Sequence, residues 1–595
     1  MSFNKPTIRV EYNADQNKFY ATCPFALNHI MRKVPSRSFL KARRQWVFKP
    51  LRANCKALES VIGKYVTLAD ATTRSKFDEV LASEIKVNHS RFPTTFPFKT
   101  TPAAKQLEAL NHLYGQPGRA LLSKPGTGKS KMEIDLVACA HAEGRITHWL
   151  ILCPFAVKSN WLPELEKHCP IEFSAHVIKT DKKTEIAAAR EFVESDHPFK
   201  IAIAGIESLN QQDQDGRGRG NLYEILISFM TGGPGKPAIT VDESHLIKNH
   251  KSNRTENIKK LAAVAVERCI MTGTVIANTP MDAFSQYDFL GGNILGLEDF
   301  YSFKTRYAEM GGYENRQIVA YQNLDELAEI VAPVTFSCEL RDMFDMPDCL
   351  FPEPIRFVMT PAQKEAYNMV VKDGLIKIGD SPDDTHALEN VLQVYLALQQ
   401  IVNGYFSYAE FEDIIGTDKQ KKISRIKLLV EPKKNPKFLA AQGVLDQLSG
   451  EQALVWSKFR PTLDSFPELI GYQRCAMYHG GVDEEERDIN KANFMQGKRE
   501  YFVGNPSVGG VGLNGLQDNC HYALYLDNSF KLIDRTQSIA RLDRKGQGQS
   551  SVFYDFMPQE KSVDELIYSA IGDKKDVSVY VEDNMREAIN AIRQI

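Results

Sequence analysis

Three short groups of residues in this chain have the types and spacing to do chemistry. The first is Ser123-Lys124-Pro125-Gly126-Thr127-Gly128-Lys129-Ser130, set between an apolar run at 120–122 and a stretch at 132–142 whose spacing predicts a helix. In a strand, loop, helix setting, Pro125, Gly126, Thr127 and Gly128 let backbone N–H groups close around phosphate oxygens. Lys129 then reaches the outer phosphates, and the Ser130 hydroxyl can ligate Mg²⁺. The second group, Asp242-Glu243-Ser244-His245, follows the apolar run 238–241. A carboxylate at the C-terminal end of a buried parallel strand faces the phosphate crevice, where Asp242 can hold Mg²⁺ and Glu243 can orient an attacking water. The third is the 537–547 stretch, in which Gln537, Arg541 and Arg544 are spaced to share one face of a helix. Two guanidinium groups placed that way could neutralise charge developing on a γ-phosphate. Taken together, the three groups predict hydrolysis of ATP assisted by Mg²⁺.

The elements that must hold these groups can be read from the apolar runs. Strand-like runs at 149–153, 201–204, 238–241 and 269–271 alternate with helical stretches, and the rhythm resumes with runs at 453–456, 474–478, 501–503, 523–526 and 552–556. Such alternation predicts parallel α/β lobes, one over residues 96–335 and a second over 345–595. Residues 284–335 read as mainly helical, 387–401 as a long amphipathic helix, and 419–434 as a basic stretch without an evident role. Polar, Gly-rich segments at 211–220 and 231–235 read as loops.

Residues 1–65 predict a separate small α+β module of ββαβ form, with strands at 7–12, 18–23 and 45–48, followed by a polar connector over 66–95. Between residues 31 and 50 there are seven Arg or Lys and no acid, with Phe39, Trp46 and Phe48 interleaved. Cations that meet phosphates and rings that stack on bases suit nucleic acid. The same pattern also serves a small core with a solvated basic face.

Composition sets the remaining bounds. The 595 residues are 43% hydrophobic, enough for two or three cored domains, and the formal charge of −2 is no nucleic-acid signature by itself. The start is polar and apolar runs of about eighteen residues are lacking, so neither secretion nor membrane insertion is expected. The ten cysteines are scattered without zinc spacing, which predicts a reducing, cytoplasmic location.

With these motifs in order, the chain resembles the superfamily 2 helicases, and among them the Snf2-like DNA translocases. The resemblance implies two tandem RecA-like lobes with a helical insertion. It makes Gln106 the adenine-reading glutamine, 123–130 motif I, and 242–245 motif II. It places 150–154 with Ser159, Asn160 and Trp161 in motif Ia on the DNA backbone, and 271–274 with 278–280 in motif III, with Thr274 at the DNA. In the second lobe, 453–459 is similar to motif IV with Lys458 at the DNA, and 505–514 is similar to motif V with Gly512 and Asn514 at the nucleotide. Motif VI is 537–547, and 562–565 resembles the segment that closes the family's core. Arg44, Trp46 and Phe48 are similar to the R-x-W-x-F stretch of the HARP module of annealing helicases, so Arg43, Arg44 and Trp46 are expected to engage DNA junctions. Ser123 departs from the usual first glycine of motif I.

The expectation is a compact, monomeric, DNA-stimulated ATPase, of a type that bacteriophages also encode and that would then act in the host cytoplasm. It would unwind or branch-migrate forked and four-way-junction DNA in replication, recombination or repair, its two lobes closing on ATP and Mg²⁺ when DNA aligns them. Without a bromodomain-like, chromodomain-like or zinc-finger extension, nucleosome remodelling is not expected. Three other readings stay open: a duplex translocase that displaces bound proteins without separating strands, an RNA helicase, and a non-hydrolysing nucleic-acid-binding scaffold.

Overall fold

The computed structural model describes residues 6–82, 90–180, 182–210, 220–232, 235–273, 279–311, 317–378, 385–413, 420–509, 513 and 515–573. The chain divides into two compact units, Met1–Met343 and Phe344–Ile595.

The centre of the first unit is a seven-stranded parallel sheet. Its order is Thr335–Phe336, Gly118–Leu121, Glu267–Met271, Pro237–Asp242, His148–Cys153, Lys200–Gly205 and Ser174–Val177. Helices cover both faces, so the inner strands read as continuous apolar runs rather than alternating ones. The pleat still sorts their side chains: Leu150, Leu152, Ile239 and Val241 enter the core on one face, Trp149, Ile151, Ala238 and Cys269 that on the other. A strand buried this way ends abruptly at its C-terminal edge. Leu121 and Asp242 therefore sit at the same edge, on either side of the Glu267–Met271 strand.

The second unit repeats the plan. Its parallel strands run in the order Cys349–Leu350, Ser551–Pro558, Cys520–Tyr525, Gln452–Trp456, Tyr501–Gly504 and Cys475–Tyr478, with Ile355–Phe357 pairing the far end of Ser551–Pro558. The expected strand 474–478 begins one residue later, at Cys475, because 472–474 form a short 3₁₀ turn. The amphipathic stretch 387–401 lies within the helix Thr385–Val402, and the basic stretch falls largely on Gln420–Leu428, which pairs antiparallel with Tyr405–Asp413. In the first unit, the helices of the 284–335 region are interrupted by a hairpin, Ala308–Gly311 with Gln317–Tyr321.

The N-terminal module is larger than its sequence suggested. Five strands, in the order Arg37–Leu40, Gln45–Phe48, Lys18–Thr22, Ile8–Asn13 and Val66–Leu68, form one sheet. Val66–Leu68 pairs parallel with Ile8–Val10, and the helix Ala71–Ala82 buries Phe77 against Phe19. The module therefore continues past residue 65 to Ala82, and the stretch read as connector is in part its closing helix. The strand Arg37–Leu40 was hidden in the basic run because a turn with Arg44 at φ +54° folds it back on Gln45–Phe48. Lys49 pairs with Glu298, and Ala53 enters the core of the parallel lobe. No described helix is long and apolar enough to cross a membrane.

Candidate nucleotide and nucleic-acid site

The loop after Gly118–Leu121 turns into the helix Lys129–Ala142 through Gly126 and Gly128, both at positive φ (+86° and +82°), where only glycine is unstrained. A methyl group on Gly128 would also collide with the Gln106 amide. Thr127 is fully buried and its hydroxyl donates to the Lys124 carbonyl at 2.7 Å. Lys129 Nζ donates to the carbonyls of Ser123 (2.7 Å) and Lys124 (3.4 Å), which holds the ammonium over the loop. Gln106, expected to read adenine, donates to the Thr127 carbonyl at 3.0 Å and accepts from the Ala103 amide at 2.9 Å, so it is tied to the phosphate loop itself. Ser123 has a use that glycine lacks: its buried hydroxyl accepts from the Cys338 amide at 3.2 Å, clasping the chain just beyond the edge strand Thr335–Phe336. Ser130 follows Lys129 in the first helical turn, half-buried.

The strand Pro237–Asp242 delivers Asp242 to this edge, and the chain then turns through Glu243 at φ +52°, a costly conformation for a non-glycine residue. Glu243 Oε2 lies 3.3 Å from His245 Nδ1 and accepts from the Thr272 hydroxyl at 3.4 Å. Burial, and then the neighbouring Glu243 charge, push the Asp242 carboxyl up to about 7, while Lys129 and a hydrogen bond from the Trp161 side chain oppose the rise. Some of its surface remains open to water; the crowding of protein atoms around the carboxylate outweighs that opening, because desolvation depends on all the surrounding volume. A cation beside the crowded Asp242 and Glu243 carboxylates would favour their charged forms, so Asp242, with the Ser130 hydroxyl at the start of the neighbouring helix, fits the oxygen ligands that a hydrated Mg²⁺ would take.

Beneath the loop lies a buried network that sequence reasoning missed. Arg119 donates to both Glu133 oxygens at 2.9 and 2.8 Å and to Glu267 at 2.7 Å. Thr240 donates to Glu133 at 2.8 Å and accepts from the Trp149 indole at 2.9 Å. The network joins four strands of the sheet to the helix that Lys129 begins, and its trace in the sequence is a charged residue in each of three elements, Arg119, Glu133 and Glu267.

The motif Ia residues divide. In the helix Lys158–His168, Ser159 is exposed and Asn160 half-buried. Trp161, expected on the DNA backbone, is instead buried edge-on to Trp149 (5.9 Å) with its side chain bonded to Asp242, which leaves it no ring face for DNA. Thr274 and residues 275–278 lie outside the described residues.

In the second unit, Gln537, Arg541 and Arg544 do not share a helix face. The helix Leu532–Ile539 ends between them, and Arg541 and Arg544 follow in tight turns. They still converge, for Arg541 Nη1 donates to the Leu513 carbonyl at 2.6 Å and Arg544 Nη1 to the same oxygen at 3.3 Å. Gly512 and Asn514, which flank Leu513, lie outside the described residues. Gln537 is buried, and its carbonyl accepts from Arg541 Nε at 3.3 Å. A third arginine of the region, Arg535, is spent inside, bidentate to Asp555 and 3.4 Å over the Tyr525 ring. Lys458, expected at the DNA, packs its ammonium on Phe530 (3.5 Å) and Phe459 (4.8 Å), and burial pulls it down to about 8 against the opposing charge of Asp527.

In the N-terminal sheet, Arg43 and Arg44 are exposed at the tip of the Arg37–Phe48 hairpin. Phe48 belongs to the core, whereas Trp46 is half-buried, its indole donating to Asn28 at 3.1 Å and its ring 5.0 Å from that of the exposed Phe39. The basic stretch is thus partly core and partly an open cation and aromatic surface.

A parallel sheet with a glycine loop, a lysine and an acidic strand end at one edge defines a P-loop nucleotide-binding protein. Residues 104–406 match the model of the SNF2-related domain, and the chain belongs to that family. Its two units carry the tandem RecA-like lobes of the superfamily 2 core. The chain is similar to "Chromodomain-helicase-DNA-binding protein 1-like" of Danio rerio (24% identical, over 76% of this chain and 41% of that protein). It is similar also to the Mus musculus protein of the same name (23%, over 79% and 49%). It therefore spans less than half the length of either. Among solved structures it is similar to the Sulfolobus solfataricus SWI2/SNF2 ATPase core in complex with dsDNA (17% identical, over 84% of this chain and 99% of that one, TM-score 0.35).

Proposed function

We propose that this chain is an ATP-hydrolysing motor that acts on DNA, and that it unwinds or branch-migrates forked and four-way-junction substrates. The observation that carries the reading is the meeting of Lys129 with the Asp242–Glu243 pair at one edge of the first sheet, where a cation and two crowded carboxylates await a polyphosphate. In this reading the loop amides and Lys129 bind the phosphates, and Ser130 and Asp242 hold Mg²⁺, which supplies charge neutralisation across the phosphate oxygens when bound. Glu243 accepts a proton from the attacking water as the bond from the γ-phosphorus to its bridging oxygen breaks, and ADP leaves. His245 and Thr272 fix the position of that carboxylate.

Arg541 and Arg544 belong to the other unit. Their task is to offset charge on the γ-phosphate, and the task of DNA is to bring them to it. Exposed Ser159, half-buried Asn160 and the Arg43, Arg44 and Trp46 surface are assigned to DNA, the last group to junctions. The resemblance to HARP modules and the aromatic pair Phe39–Trp46 support that assignment.

The test is ATP hydrolysis by the purified chain without nucleic acid and with single-stranded DNA, duplex, fork, four-way junction and RNA, with Lys129→Ala as control. Strongest stimulation by forks or junctions is expected. Equal stimulation by RNA, or none by any nucleic acid, overturns the proposal.

A further inference from the structure

A cavity of about 540 Å³ opens within the first unit where the N-terminal module meets the parallel lobe, lined by residues 50–53, 116–118, 265–266, 268, 290–296, 330 and 334. The strand Gly118–Leu121 begins at this cavity and ends at the phosphate loop, so the two sites lie at opposite ends of the sheet, roughly 10 Å or more apart. The volume is that of a small-molecule site.

Its chemistry is one-sided. Arg52 and Arg268 line it, and no Asp or Glu is among its described lining residues, the carboxylate that acts on Arg268, Asp288, lying outside the lining. Among the described residues each guanidinium makes one main-chain bond, Arg52 to Leu81 and Arg268 to Phe289, and a guanidinium carries five N–H donors. Gln116, only 3% exposed, also lines the cavity, and its side-chain nitrogen has no hydrogen-bond partner. The helix Arg52–Glu59 starts on the cavity wall with no side chain capping it, which adds the positive end of its dipole. Apolar side chains share the lining, among them Leu290, Leu295, Ile330 and Val334. Gly291, at φ +75°, passes so close to Arg268 that a side chain there would displace the guanidinium.

We infer that this cavity binds a small organic phosphate, its phosphate held by Arg52 and Arg268 and its organic part against the apolar side chains of the lining. Because the site joins the N-terminal module to the parallel lobe, the ligand would brace one against the other. The inference does not depend on the proposed motor activity.

The probe is ribose 5-phosphate, titrated into the full chain while its unfolding midpoint is followed, with ribose as the uncharged control. Saturable stabilisation in the range of ~1 mM or tighter is expected, with none from ribose. It should persist in Lys129→Ala, which separates it from the phosphate loop. It should weaken by about tenfold or more in Arg52→Ala, which loses a charged donor, and in Val266→Glu, which sets an anion at the exposed rim. Absence of saturable stabilisation, an equal response to ribose, unchanged affinity in both rim variants, or loss in Lys129→Ala would each overturn the assignment.

Discussion

Arg541 and Arg544 share one acceptor, the carbonyl oxygen of Leu513, at 2.6 and 3.3 Å. Their pairing comes from a turn that follows the end of the helix at Ile539, and Leu542 between them is buried in the core. The shared carbonyl orients the two forks together. Arg541→Ala and Arg544→Ala are each expected to lower DNA-stimulated kcat by ~10³-fold or more, with KM for ATP changed only a few-fold. Arg541→Lys should recover little, because an ammonium cannot reproduce the fork. Steady-state kinetics with saturating DNA check this, and a loss confined to KM would count against the assigned role.

Glu243 is held by Thr272 and His245 in a strained backbone position, whereas the proposal assigns nucleotide contacts to the neighbouring loop. Glu243→Gln should therefore abolish turnover and keep ATP binding, and that binding should weaken when Mg²⁺ is chelated. Titration of a fluorescent ATP analogue with and without EDTA measures both. Full turnover by this variant would remove Glu243 from the mechanism.

Arg119 lies between two buried carboxylates, Glu133 and Glu267. Truncating it to alanine leaves both unpaired, and the expected loss is about 3–5 kcal/mol of stability. Arg119→Lys should rescue little, since Glu133 is bound through both oxygens. Urea denaturation of the first unit's transition gives the values.

Lys458 provides a pH test. Its folded pKa is lowered from 10.5 to about 8, so the charged form is disfavoured in the native state. Below about pH 8 both folded and unfolded states carry the proton, and its effect on stability is constant. Between about 8 and 10.5 the unfolded chain binds the proton that the native chain has released, so stability from this group rises with pH. The difference in urea midpoint between wild type and Lys458→Met should therefore grow in favour of wild type between about pH 8 and 10 and stay flat below. A difference that is level throughout would mean that Lys458 titrates normally.

At the N-terminal hairpin, the exposed Arg43 and Arg44 are assigned to phosphates and Trp46 to bases. Arg43→Ala and Arg44→Ala should each reduce the slope of log affinity against log salt for forked DNA by about 0.9. Trp46→Ala should cost ~1–3 kcal/mol on a fork with single-stranded arms. ATPase stimulated by blunt duplex should be unaffected by all three. Equal losses on fork and blunt duplex would place these residues outside junction recognition.

Much of this architecture was legible before folding. A parallel strand covered on both faces must be apolar along its whole length, so runs such as His148–Cys153 and Pro237–Asp242 stand out. A loop that wraps phosphates needs Gly126 and Gly128 at fixed offsets from Lys129, a requirement written in neighbouring residues. What the tertiary structure decided are the pairings between residues remote in sequence. The end of the helix at Ile539 has no Gly or Pro to announce it. It depends on Leu542 entering the core and on Leu513 offering its carbonyl to two arginines. Trp161 has the pattern of a DNA-contact residue and the environment of a core residue, because Trp149 and Asp242 stand beside it only after the sheet forms. Ser123 reads as a departure from a glycine pattern until the chain returns at Cys338 to use its hydroxyl. Local spacing encodes backbone shape over a few residues; burial and hydrogen-bond partners depend on which segments the sheet brings together.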